Sequence, residues 1–94
     1  MGIAGVSIGA TSTIILPNRT LLSLRLKAIF VNNSDEDIYV APYGIAVSTQ
    51  GIPLKANGGA YVDEPDTTGW LYQGSWHGIC ASGGKILSIT EFMR

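Results

Sequence analysis

Glycine and proline punctuate this 94-residue chain, 12 of the first and 4 of the second, and Ile, Val and Thr dominate the runs between them. A long amphipathic helix needs apolar residues at i, i+3, i+4 and i+7 without interruption. No stretch of the sequence supplies them. β-Branched side chains are stiff at χ1 and suit a pleated, half-buried surface. The expected fold is all-β, a single antiparallel sandwich or barrel of about seven or eight short strands.

The clearest strand covers residues 21–31. Leu22, Leu24, Leu26, Ala28 and Phe30 alternate onto one face, and Ser23, Arg25 and Lys27 onto the other. Ile29 and Val31 make the distal half of that second face apolar, so it is expected to be covered as well. A strand at 11–16 precedes it, joined by Pro17-Asn18-Arg19-Thr20 in what reads as a hairpin. Residues 32–37 are a turn whose side chains bond their own backbone. A short strand at 38–41 is broken by Pro42-Tyr43-Gly44, and Ile45, Val47 and Thr49 alternate into the next. Ile52-Pro53-Leu54 is extended but confined to a sheet edge, because Pro53 has no N–H to donate. A turn at 55–59 leads to a short segment at 60–62, and the loop 63–69 leads to Trp70-Leu71-Tyr72. Strands at 75–81 and 85–92, joined by Ser82-Gly83-Gly84, read as a C-terminal hairpin.

Residues 1–10 stand apart, since glycines separate Ile3, Val6 and Ile8 and no steady period links them. They read as an extended arm of at most about 33–36 Å, enough to cross a neighbouring subunit. Residues 11–94 form the β domain, with no repeat or linker to divide it.

Hydrophobic residues make up 46% of the chain and charged ones only 14%, which excludes a disordered segment. A net charge of −1 gives no basic field for nucleic acid. One Cys and one His exclude a disulfide scaffold and the common zinc sites. The N-terminus lacks the basic region and compact apolar stretch of a signal peptide, is too interrupted to span a bilayer, and has Val6 where myristoylation wants Ser or Thr. Synthesis in the host cytoplasm, with no membrane partner, is expected.

Chemistry is scarce. His77 and Cys80 are three apart, an odd offset that puts them on opposite faces of a strand. A nucleophile pair needs hydrogen-bond reach, so a buried Cys and a partly exposed His are expected instead. Asp63, Glu64 and Asp66 could gather around a calcium ion, with Thr67 or a backbone carbonyl assisting, but the spacing is not that of an EF-hand loop and such oxygen clusters are common without a metal. The acidic turn at 35–37 reads as a solvated hairpin end. Asn18-Arg19-Thr20 and Asn32-Asn33-Ser34 match the glycosylation pattern where turns are expected anyway. Gly58-Gly59 and Gly83-Gly84 have no Lys-Ser/Thr ending and open no helix, so they are turn glycines and not phosphate loops. Neither an enzyme nor a cofactor is expected. Trp70, Tyr72 and Trp76 are the most informative cluster, with Trp70 and Tyr72 sharing a strand face and Trp76 on the next strand. Such rings serve as core, as interface anchors or as a stacking platform for sugars.

From Phe30 the chain reads Phe-Val-Asn-Asn-Ser-Asp-Glu-Asp-Ile-Tyr-Val, then Gly-Ile-Ala-Val-Ser-Thr-Gln-Gly-Ile-Pro-Leu, and it closes with Trp-His-Gly-Ile-Cys-Ala-Ser-Gly-Gly-Lys-Ile-Leu-Ser-Ile-Thr-Glu. Over about residues 28–92 this resembles the small β-sandwich structural proteins of tailed bacteriophages. The resemblance implies a virion component without catalytic residues: a capsid decoration or cement protein, or a neck, tail or fibre-base subunit. A lone monomer benefits from a charged surface and blunted strand edges, whereas an assembly hides apolar patches and edges. The expectation is a homo-oligomer, a trimer favoured, contacting the major capsid or another virion protein. Ile3, Val6, Ile8, Tyr43, Trp70, Tyr72 and Trp76 are its candidate interface residues. A carbohydrate-binding or host-directed module using the aromatic patch is the alternative.

Overall fold

Alternating apolar residues between turn signals produce eight strands in the computed structural model, which describes residues 2–20 and 23–94, with the side chains of residues 2–4 outside that description. They are β1 (Gly2–Ile8), β2 (Thr13–Leu16), β3 (Arg25–Asn32), β4 (Ile38–Pro42), β5 (Ile52–Leu54), β6 (Gly59–Asp63), β7 (Trp76–Cys80) and β8 (Lys85–Met93). Two antiparallel four-stranded sheets result, in the orders β1-β8-β3-β6 and β2-β7-β4-β5. The pairs nest: β1 with β8, β2 with β7, β3 with β6, β4 with β5. This is one long hairpin rolled onto itself, the topology of an eight-stranded jelly roll. The all-β sandwich expected from the sequence is the observed fold.

Between the sheets lies one core, in which Ile8, Phe30, Ile38, Leu54 and Leu87 are fully buried. Each such side chain contributes about 1.5–3 kcal/mol by leaving water. Pro53 sits on β5, an edge strand, as its missing N–H requires.

Several sequence expectations are corrected. Among the described strands, only β4 and β5 are both consecutive and paired. The connections at 17–20 and 82–84 therefore join strands of different sheets and make no hairpins, because a short turn does not say which sheet receives the next strand. Residues 2–8 are extended but do not stand apart from the sandwich. They pair with β8 from Gly2↔Glu91 to Ile8↔Lys85, and the burial of Ile8 holds this strand to its own core. Residues 45–49 form no strand, because Tyr43 and Thr49 adopt positive φ and Gly51 follows at +90°. Residues 70–72 lie in a loop. Leu21 and Leu22, expected to open the long strand, lie outside the described residues.

The largest surprise is Arg25, expected on the outer face and found 1% exposed. On β3, Arg25 lies opposite Met93 but Lys27 lies opposite Phe92, so Leu26 is the extra residue of a β-bulge. The bulge reverses the alternation upstream, turning Arg25 inward and leaving Leu26 exposed. Every nitrogen of the Arg25 guanidinium is engaged there. Its Nε donates to Glu91 Oε2 at 2.8 Å, Nη1 to the carbonyls of Tyr72 and Gly74, and Nη2 to that of Pro17. Arg19 binds the same carboxylate through Nε and Nη2. Gln73 reads both backbone groups of Arg25, accepting its N–H at 2.6 Å and donating to its carbonyl at 2.8 Å. Burial alone would raise the Glu91 carboxyl, but the hydrogen bonds and charges of Arg19 and Arg25 outweigh it and hold the carboxyl below its ordinary value. This pin ties β8, β3 and the 71–75 loop together.

The acidic turn at 35–37 is tied to its neighbours and is more than a solvated end. Asp35 meets Lys85 at 2.8 Å, Glu36 accepts from the N–H and hydroxyl of Ser82, and Asp37 accepts from the N–H of Ala56. Asn32, fully buried, donates to the carbonyls of Glu36 and Leu54. Three turns are thereby latched at one end of the roll.

Candidate functional site

The aromatic residues divide between core and surface. Trp76 opens β7 on its inward face and is 2% exposed, with its ring 4.9 Å from Phe30 and 6.0 Å from Tyr61. Tyr72 packs edge-on against Trp76, and Tyr43 lies 4.3 Å from Tyr72. A ladder of rings thus runs from the core outward, ending at Tyr43, which is 71% exposed. Trp70 is 59% exposed on the β6–β7 loop. Its loop is held by Asp66, whose Oδ1 accepts from the N–H and hydroxyl of Thr68 and from the N–H of Trp70. Tyr43 holds a φ of 65°, rare for a bulky residue, with its N–H donated to the Tyr72 hydroxyl at 3.0 Å.

These residues line an open groove of about 240 Å³ between β6 of one sheet and β4 and β5 of the other. Tyr61 and Asp63 enter it from β6, and Glu64, Asp66, Trp70 and Tyr72 from the loop that follows. Among the described residues, none that lines it is basic. Two buried polar atoms in its lining residues have no hydrogen-bond partner: the indole Nε1 of Trp76, a donor, and Oδ2 of Asp63, an acceptor. Desolvation raises the Asp63 carboxyl above its ordinary value, with the charge of Arg25 opposing.

Of the seven candidate interface residues, Ile8 and Trp76 belong to the core, and Val6 and Tyr72 pack against it. Ile3 has its side chain outside the described residues, though its backbone pairs with Thr90. Tyr43 and Trp70 reach the surface and meet at the groove. Sequence reading missed Tyr61 and Asp63 as groove residues. Their spacing of two on β6 signals a shared face but not what that face meets. Cys80 is buried and His77 partly exposed, on opposite faces of β7. Asp63, Glu64 and Asp66 line one groove but form no ligand set: Asp66 serves its own turn, and Glu64 lies 3.8 Å from Lys27. Among the described residues no group of three His, Cys, Asp or Glu side chains is placed to hold a metal ion.

A second feature is the outer face of the β1-β8-β3-β6 sheet. Alternation turns Ile29 and Val31 of β3, Ile86, Ser88, Thr90 and Phe92 of β8, and Val62 of β6 away from the core. Val31 lies opposite Ser88 and Ile29 opposite Thr90 and Val62, so apolar and hydroxyl side chains alternate across adjacent strands. Lys27, at the rim against Phe92 and Glu64, is the charged residue of this face among those described. β1 continues it as an edge strand of Gly, Ile, Ala, Val and Ser alone, regular over seven pairs with β8. Charge, proline and bulges are the usual guards of such an edge, and β1 has none of them. Compared with known proteins, the chain matches no family model, no curated protein and no solved structure.

Proposed function

We propose that this chain is a non-enzymatic structural subunit that self-associates through the outer face of the β1-β8-β3-β6 sheet. The resemblance read in the sequence gives the assembly: a virion surface, with the subunit as a capsid decoration or cement protein. One observation carries the self-association. That face is a broad run of apolar and hydroxyl side chains with its charge confined to the rim. Large apolar patches on a soluble protein mark contact surfaces. Because β1 is already paired within the chain, the sheet face makes the contact and an exchanged arm does not. The jelly roll supports the class, since capsid and lectin domains both use it, though a fold alone names no function.

Sedimentation of the purified protein tests the association, with a defined oligomer expected at micromolar concentration and a stable monomer overturning it. Mass spectrometry of purified particles tests the virion assignment, and absence of the chain from particles produced in cells that express it would remove that part.

A further inference from the structure

We propose that the groove between β6 and β4–β5 binds a neutral saccharide, with Trp70 as its stacking platform. This is independent of the assembly face, which lies on the outer side of the β1-β8-β3-β6 sheet and shares none of the groove's rings.

Ring faces come first. Trp70 and Tyr43 are large, apolar and open to solvent at the groove, although burial would be the favourable fate of both rings. The C–H face of a pyranose is an apolar surface matched to such a ring. The polar groups then select among apolar ligands. Trp76 Nε1–H needs an acceptor and Asp63 Oδ2 needs a donor, and both are buried in residues lining this one groove. A hydroxyl group donates and accepts, so a ligand carrying several answers both. An alkylammonium, the other natural occupant of aromatic sites, has no acceptor to offer Trp76. Charge selects within the saccharides. Asp63, Glu64 and Asp66 line the groove with no Lys, Arg or His, which disfavours uronic and sialic acids. Size sets the last limit. About 240 Å³ is less than the roughly 300–1,000 Å³ of sites for drug-sized ligands, so one ring or the end of a chain is accommodated. Trp70 and Tyr43 both stand on loops outside the strands and line the groove from there.

The test uses the full chain and a panel of neutral methyl glycosides, read by tryptophan fluorescence and by ligand-observed NMR saturation transfer. Tetramethylammonium and glucuronate serve as cationic and anionic controls. Binding of at least one neutral glycoside is expected, with both controls silent. Trp70→Ala should weaken it roughly thirtyfold or more, the size of a hot-spot truncation. This side chain is mostly exposed, so circular dichroism of the variant should be unchanged. Asp63→Asn, which turns an acceptor-only group into a mixed one, should change which glycoside binds best. Silence across the neutral panel, preference for tetramethylammonium, or undiminished binding by Trp70→Ala would each overturn the proposal.

Discussion

Ile79 and Ile29 hold equivalent places, each on an inner strand of its sheet and each pointing away from the core, yet they meet different surroundings. Ile79 is 8% exposed. Residues 43–51 leave β4, and Ala46 donates its N–H to Ser12 Oγ at 2.9 Å, just before β2. β2 and β5 are opposite edges of this sheet, so the loop spans its width before returning to β5. Ala46 is buried too, and neither it nor Ile79 belongs to the core between the sheets. The crossing loop passes over this face of the sheet. No connection is tied across Ile29 in this way among the described residues. One sheet is thus covered within the chain, and the other keeps a face of the same composition open. Where a chain spends its long loop decides which face remains free for a partner.

The largest loss of stability is expected at the polar pin, which serves both layers and is therefore the control for the comparison. Glu91→Gln leaves Arg25 buried without its counter-charge and should cost about 3–5 kcal/mol in urea unfolding. The same contact sets a pH dependence. The Glu91 carboxyl sits below its ordinary value of 4.5 in the folded protein, so its contribution is fully present above that pH. It is lost as pH falls through the lower folded value. Asp63, raised above its ordinary 3.8, acts with the opposite sign and offsets part of this loss. Urea unfolding across an acid series should show stability falling with pH, with a flatter slope in Glu91→Gln.

Matched substitutions then probe the two faces. Ile79→Lys removes a buried side chain and places a charge beneath the loop, and should cost about 3 kcal/mol or more. Ser12→Ala removes the acceptor of Ala46 and should cost about 0.5–1.5 kcal/mol while leaving the other face unchanged. Ile29→Lys should change folding stability by no more than about 1 kcal/mol, the span of strand propensities on an open face. Its effect should appear instead in sedimentation, as a shift from oligomer to monomer. Equal losses of stability from Ile79→Lys and Ile29→Lys would break the contrast between the faces.

Much of the fold is legible from period-two patterning. The segments that became β3, β4, β7 and β8, and the edge position of Pro53, follow from side-chain alternation and from a missing N–H. Three things are not legible, each for a stated reason. Ile45, Val47 and Thr49 alternate as a strand would, and only backbone conformation at Tyr43 and Thr49 defeats them. Arg25 is read outward because a bulge is a property of two strands, and Met93 and Phe92 lie far from it in sequence. Sheet membership is invisible to local pattern, so two tight turns pass for hairpins. At the groove, residue type alone points to Trp70 and Tyr43, but it points equally to Trp76, which lies inside. Asp63 gains its meaning only from burial without a partner.

The nesting of first strand on last has a consequence in time. β1 leaves the ribosome long before β8 exists, and its partner in the sheet is that final strand. The same delay, shorter at each step, applies to β2 with β7 and β3 with β6. Distant pairings of this kind fold slowly, because loop closure is costly before any contact rewards it. A nascent chain of this protein therefore carries Ile8 and Phe30 uncovered until β8 has been made, an interval in which a chaperone can bind them.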